Sequence, residues 1–201
     1  INAGEGGLLI TNDPHIFWKS VFMSGSYEKN YLLHSSKNIN IAEKYVNQLP
    51  VFNVRMNNLT GALAIPQIKN IESTIERVNK NYNQFVDSLI DNRLVIFPKS
   101  SQSVRPVRDS AQMHIKLSQE SCLKLKSDLN NSGIPISYFG GKNNTNARLY
   151  QNWKFIKTNH ALVPNTKKNL SNVFDLRLPI HLTSEEIYTI SEVFKQTLAK
   201  I

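Results

Sequence analysis

The chain has 201 residues, of which 40% are hydrophobic and 9% aromatic, a composition that excludes disorder and suits one large domain or two small ones. Its net charge of +9 would fit a nucleic-acid binder, but the Lys and Arg residues are scattered and the densest cluster is Lys167-Lys168. No basic run is interleaved with aromatics, so the charge points to a solvated surface that attracts anionic small molecules such as phosphates, and not to nucleic acid. No apolar run nears the roughly 20 residues that span a bilayer, and no basic-then-apolar leader is visible; a soluble, cytoplasmic protein is the expectation. The lone Cys122 excludes an internal disulfide and a cysteine-based metal cage, and it reads as a buried, inert thiol.

Residues 7–11 read as a short buried strand, stopped by Asn12-Asp13-Pro14. Asp13 caps a helix with Pro14 in its first position, and this helix runs to about Met23 before Ser24-Gly25-Ser26 breaks it. Residues 27–40 are a polar and aromatic excursion, and a short helix is expected over 41–47. A continuous apolar stripe follows at Ile68, Ile71, Ile75, Val78, Tyr82, Phe85 and Leu89, with alternating spacings of three and four. It predicts a long amphipathic helix from near Asn58 to near Asp91. Pro66 inside that helix would cost about 3 kcal/mol if the helix stayed straight, so a kink or break is expected there.

After Asp91 the pattern changes to short strands at 94–97, 113–117, 134–139 and 174–178. Residues 118–131 form a helix ended by Gly133, and the last helix opens on the capping box Thr183-Ser184-Glu185-Glu186. This order predicts a small α+β domain over residues 92–201, after a first part over residues 1–91.

Several stretches bear on chemistry. Gly4-Glu5-Gly6-Gly7 is followed by a strand, whereas phosphate loops lead into a helix, so alone it reads as a tight turn. His15, His34, His114, His160 and His181 have no paired metal spacing, so no metal site is expected. In Arg105-Pro106-Val107-Arg108-Asp109 two arginines flank a rigid dipeptide. They could grip a carboxylate or phosphate, or pair with Asp109 on the surface, and the residues leave both open. Asn146 to Trp153 gathers amides, an arginine and aromatics in a loop that is either a site or a core corner.

Three segments together carry a resemblance. They are Gly4 to Asp13 (GEGGLLITND), Phe52 to Glu72 (FNVRMNNLTGALAIPQIKNIE) and Val173 to Ile190 (VFDLRLPIHLTSEEIYTI). In this order they resemble the DegT/DnrJ/StrS aminotransferases, fold-type-I enzymes that depend on pyridoxal 5'-phosphate, many of which aminate keto-sugars. Asn53, Arg55, Met56, Leu59, Ala62, Gln67 and Ile68 fit the family's Asn-x-Arg-Met helix in order and spacing. The fold class implied is α/β, the C-terminal portion of such a transferase: the end of the large domain with the long helix, then a small α+β domain.

The resemblance also implies roles. The Schiff-base lysine of the family precedes the Gly-Glu-Gly-Gly stretch, so it is expected upstream of Ile1, and this chain holds no catalytic residue of its own. Asn53 is implied to bind the cofactor phosphate of the neighbouring subunit, with Arg55 as a nearby anion contact or interface ion pair. Val54 stands where the family commonly has an aromatic. Gly4 and Gly6 let the backbone pass close behind the cofactor, while Glu5 orients backbone. Tyr27, His34, Arg105 and Arg108 are substrate-side candidates. The partners implied are a homodimer or the N-terminal half of the same enzyme, an amino-acid donor such as glutamate or glutamine, and a keto acceptor. The alternative is a non-catalytic homologue that keeps the fold as a binding and dimerisation module.

Overall fold

The computed structural model describes residues 1–26, 28–141, 144–155 and 163–201. Its backbone falls into two compact units, Ile1–Ile71 and Glu72–Ile201.

In the first unit, the Asp13 carboxylate accepts from the amides of His15 at 2.7 Å and Ile16 at 3.4 Å. Two orphan donors are thus satisfied, and α1 (Pro14–Met23) starts where Pro14 needs no hydrogen bond. Helix α1 buries Trp18 and Phe22 against Tyr31 and Ala42, the last of these in α2 (Ile39–Glu43). This second helix starts before the expected 41–47 and ends sooner, with Asn38 and Asn47 both in the left-handed region at φ 55° and 58°. Asn57 then caps α3 (Asn58–Lys69) by accepting from the Thr60 amide at 2.8 Å.

Two expectations change here. Residues 7–11 form no strand among the described residues, and Leu8, Leu9 and Ile10 are 58%, 62% and 94% exposed. A strand exists only as part of a ladder, and no other described segment pairs with this one. The predicted long helix is two helices, but the break lies at Asn70, a turn beyond Pro66. There the Asn70 backbone and side-chain amides both donate to the Pro66 carbonyl, at 3.2 and 3.0 Å, closing α3.

The second unit begins with α4 (Ile71–Leu89). The expected boundary at residue 91 would separate this helix from the sheet. Instead Tyr82, Phe85 and Leu89 belong to the sheet's core. Val78 is buried as well, whereas Ile68 and Ile71 stay 42% and 37% exposed. So the apolar stripe is buried only along its second half.

Among the described residues the strands are β1 (Val95–Ile96), β2 (Ser110–Ile115), β3 (Ile136–Tyr138) and β4 (Val173–Arg177), in the order β1-β2-β4-β3 with every neighbouring pair antiparallel. Chain α5 (Gln119–Asn131) links β2 to β3, so β4 inserts between two strands that run parallel to each other, a split β-α-β arrangement. Alternation along the strands sends Ala111, Met113, Ile115, Ile136, Tyr138, Phe174 and Leu176 into one core. From the helices that core receives Cys122, Leu125 and Leu129 of α5 and Ile187, Phe194 and Leu198 of α7 (Ser184–Ala199). The capping box at Thr183 and Glu186 forms as the sequence predicts. Between β3 and β4 lies α6 (Pro164–Leu170), which the polar sequence PNTKKNL does not announce. Among the described residues no helix is long and apolar enough to cross a membrane.

Candidate functional site

The glycine cluster sits in the first unit as one wall of a cleft of about 280 Å³, and Met56, Thr60 and Ala64 form the opposite wall. Gly4 and Gly6 both have positive φ, 87° and 141°. What fixes this stretch is Gln67 on α3. Its side-chain amide accepts from the Asn2 backbone amide at 2.7 Å and donates to the Asn2 carbonyl at 2.9 Å and the Leu63 carbonyl at 2.8 Å. One side chain thus imitates a strand partner and ties the chain's first residues to α3. Among the described residues no lysine lines the cleft. Lys19 lies on α1 with its ammonium 5.3 Å from the centre of the Tyr45 ring.

Residues 52–56 connect this cleft to the end of α1. The Phe52 amide donates to the Met23 carbonyl at 2.8 Å, and the Val54 amide to the Ser24 carbonyl at 3.2 Å. Asn53 falls between these bonded positions and Arg55 directly after them. Both are exposed, and among the described residues neither side chain has a hydrogen-bond partner. An amide and a guanidinium in this state offer several N–H donors and one positive charge to an anion.

Helix α1 itself ends in a Schellman motif. The Gly25 amide donates to the Phe22 carbonyl at 3.1 Å and the Ser26 amide to the Val21 carbonyl at 3.3 Å, with Gly25 at φ 121°. Ser26 is fully buried, and its hydroxyl is 2.7 Å from Nε2 of His34. His34 therefore stands beside the turn that carries the Asn53–Arg55 segment. This grouping was missed in the sequence, because it joins residues far apart in the chain through backbone bonds that no motif encodes. Tyr27 lies outside the described residues.

Arg105 and Arg108 belong to the second unit and already have partners. Arg105 pairs with Glu72, Nη1 to Oε2 at 2.7 Å. Arg108 donates to the Ser100 hydroxyl at 3.0 Å and lays its guanidinium 4.4 Å from the centre of the Tyr82 ring. The alternative of pairing with Asp109 does not occur, since Asp109 is taken by Arg177. In the Asn146–Trp153 loop, Arg148 covers the buried Asp175 with an ion pair of 2.7 Å, and the Trp153 ring N–H bonds the Ala147 carbonyl at 2.7 Å. The loop is therefore a self-bonded corner over the sheet.

Burial pushes the Cys122 thiol above its ordinary value, partly offset by its hydrogen bond with Tyr138. Burial, and then the neighbouring Cys122, raise the Tyr138 phenol as well. Both stay neutral at physiological pH, which suits core packing and not nucleophilic chemistry.

The donor set fits one part of a pyridoxal phosphate site. Asn53 and Arg55 suit the phosphate, and the glycine cleft suits a flat ligand passing close to backbone.

The profile of the DegT/DnrJ/EryC1/StrS aminotransferase family matches residues 1–195. No curated protein gives a significant sequence match. Among solved structures, the E. coli GDP-4-keto-6-deoxy-D-mannose-3-dehydratase with bound hydrated PLP superposes with a TM-score of 0.71 at 21% identity, over 92% of this chain and 49% of its own. DesV from S. venezuelae gives 0.70 at 13% identity, over 96% and 46%. Helicobacter pylori PseC, an aminotransferase involved in the biosynthesis of pseudoaminic acid, gives 0.59 at 15%, over 76% and 40%. At such identities the likeness speaks to fold alone, and the chain spans less than half the length of each of these structures.

Proposed function

This chain belongs to the DegT/DnrJ/EryC1/StrS aminotransferase family, and from that premise we propose that it is the C-terminal portion of a pyridoxal-phosphate-dependent aminotransferase. The protein moves an amino group from glutamate or glutamine to a keto acceptor of the keto-sugar kind. The observation that carries this reading is the Asn53–Arg55 segment, two exposed donor side chains without partners among the described residues, set next to a glycine-walled cleft.

In this reading the Asn53 amide donates to a phosphate oxygen of the cofactor held by the neighbouring subunit. Arg55 adds a charge-assisted bond to the same group. Gly4 to Gly7 let the backbone run close behind the ring. When bound, pyridoxal phosphate would supply the electron sink that lets a proton move between the substrate carbon and a carbon of the cofactor, first with the donor and then, in reverse, with the acceptor. The lysine that carries the cofactor lies in a segment preceding the glycine cluster. Lys19 is engaged with the Tyr45 ring, which supports this reading.

His34 and Tyr27 are assigned to the substrate side. Arg105 and Arg108 act there only through the N–H groups that Glu72 and Ser100 leave over. The exposed Leu8, Leu9 and Ile10 are covered by the remainder of the large domain, and the site is completed across a homodimer in the cytoplasm.

The test is an assay of the assembled protein with pyridoxal phosphate, glutamate or glutamine, and a nucleotide-linked keto-sugar. Formation of an amino-sugar together with the keto acid of the donor is expected. Loss of water from the sugar with no nitrogen transferred would assign the protein to dehydration instead. No turnover and no cofactor binding would leave the non-catalytic module.

A further inference from the structure

We propose that Gly25 is a positioning residue for the phosphate grip, because its missing side chain is the space in which the Asn53–Arg55 segment is seated. The inference rests on the reading of Asn53 and Arg55 as phosphate ligands. A Cβ at position 25 would lie 2.8 Å from the Phe52 carbonyl oxygen, 3.1 Å from Nε of Arg55 and 3.7 Å from its Cδ. The first of these is backbone and cannot swing away. Any side chain at 25 therefore lifts Phe52 from the turn and moves the root of the Arg55 guanidinium.

The turn and the segment form one device. The amides of Phe52 and Val54 bond the carbonyls of Met23 and Ser24. These bonded amides are two residues apart, the alternation of extended chain, so Asn53 and Arg55 share the face left over. On the far side of the segment, Met56 is a wall of the glycine cleft. Ser26, buried and bonded to His34, anchors the turn from beneath. Glycine at 25 thus has two roles. It closes the Schellman motif, which any helix end would need. It also sets the height of the phosphate donors, which only a ligand-binding segment would need.

A ligand pair separates these roles. Pyridoxal phosphate and pyridoxal differ only in the phosphate, so a misplaced grip weakens the first and spares the second, whereas general loosening weakens both. The experiment titrates both ligands into cofactor-free assembled protein, comparing wild type, Gly25→Ala, Phe52→Pro and the double variant Asn53→Ala/Arg55→Ala. Phe52→Pro removes the amide bonded to Met23 and leaves Gly25 and its cap intact, so it also serves if Gly25→Ala does not fold.

The expected result is a loss of pyridoxal phosphate affinity of about tenfold or more in Gly25→Ala and Phe52→Pro, with pyridoxal affinity held within about twofold. If the double variant shows that selective loss and the other two do not, the positioning role is overturned while the phosphate reading stands. Equal loss for both ligands in Gly25→Ala and Phe52→Pro overturns it too. If the double variant binds both ligands like wild type, the phosphate reading itself fails and the positioning role with it.

Discussion

Gln67 holds the glycine cluster with both ends of a single amide, bonding the amide and carbonyl of Asn2. Exposed hydrogen bonds contribute about 1 kcal/mol or less each, so Gln67→Leu should barely change the melting temperature while amide exchange at residues 2–7 accelerates. Exchange that stays at the wild-type rate would mean the glycine stretch is held by something else. Asp175 is a sharper case. Its side chain is 2% exposed and meets the half-exposed Arg148 at 2.7 Å through one oxygen, while the other oxygen has no partner among the described residues. Arg148→Ala should cost about 2 kcal/mol, less than a fully buried pair because water can reach the vacated position. Urea unfolding of the variant measures it.

Two raised acids set the alkaline limit. Cys122 and Tyr138 are held protonated by burial, above ordinary values of 9.0 and 10.0. The unfolded chain releases these protons first, so stability is full below about pH 9 and falls as the pH rises through the unfolded values. A Cys122→Ala, Tyr138→Phe double variant should show a flatter decline in melting temperature above that pH. Of the candidate site residues, Asn53, Arg55, Gly4, Gly6 and His34 are named through the family pattern. Gly25 and Ser26 are not, because what they do comes from contacts with Phe52 and His34 across the fold. Arg105 and Arg108 drew attention by residue type, and their actual partners, Glu72, Ser100 and Tyr82, are equally invisible to local spacing.

Among the elements, those whose cause is local were readable. Asp13, Ser118 and Thr183 cap helices as their residue types demand, and each accepts the expected backbone amide. Thr183→Ala should cost about 1 kcal/mol. The reciprocal partner, Glu186, has its carboxyl lowered by the Thr183 backbone amide and then by the Thr183 hydroxyl. Its contribution is therefore present above the ordinary Glu value and disappears as the pH falls through the depressed one. The melting difference between wild type and Glu186→Gln should follow that course, and a difference that persists in strong acid would speak against the box. Elements defined by distant neighbours were misread. The stripe on α4 predicts uniform burial, yet only its second half meets the sheet. Phe85, fully buried, should cost about 3–5 kcal/mol as alanine, while Ile71→Ala, on the exposed turn, should stay within about 0.5 kcal/mol. The stretch at 7–11 has the composition of a buried strand and lacks a ladder among the described residues, since the hydrogen bonds of a strand are written in its neighbours.

At the scale of the whole molecule, the two units differ in how complete they are. Glu72–Ile201 has a sheet covered by three helices and a continuous core. Ile1–Ile71 has a small aromatic cluster around Trp18 and leaves Leu8, Leu9, Ile10, Leu59 and Leu63 at least half exposed. Such apolar exposure marks a surface made to be covered. In the proposed enzyme the first unit contributes phosphate donors and a glycine-walled cleft, and the lysine comes from elsewhere in the assembly. Borohydride reduction of the cofactor-loaded protein, followed by mass mapping of the modified peptide, tests that division most directly. The expected result is a pyridoxyl group fixed to a lysine outside the 201 residues of this chain. A label on Lys19 or any other lysine within it, or no label in protein saturated with pyridoxal phosphate, would contradict it.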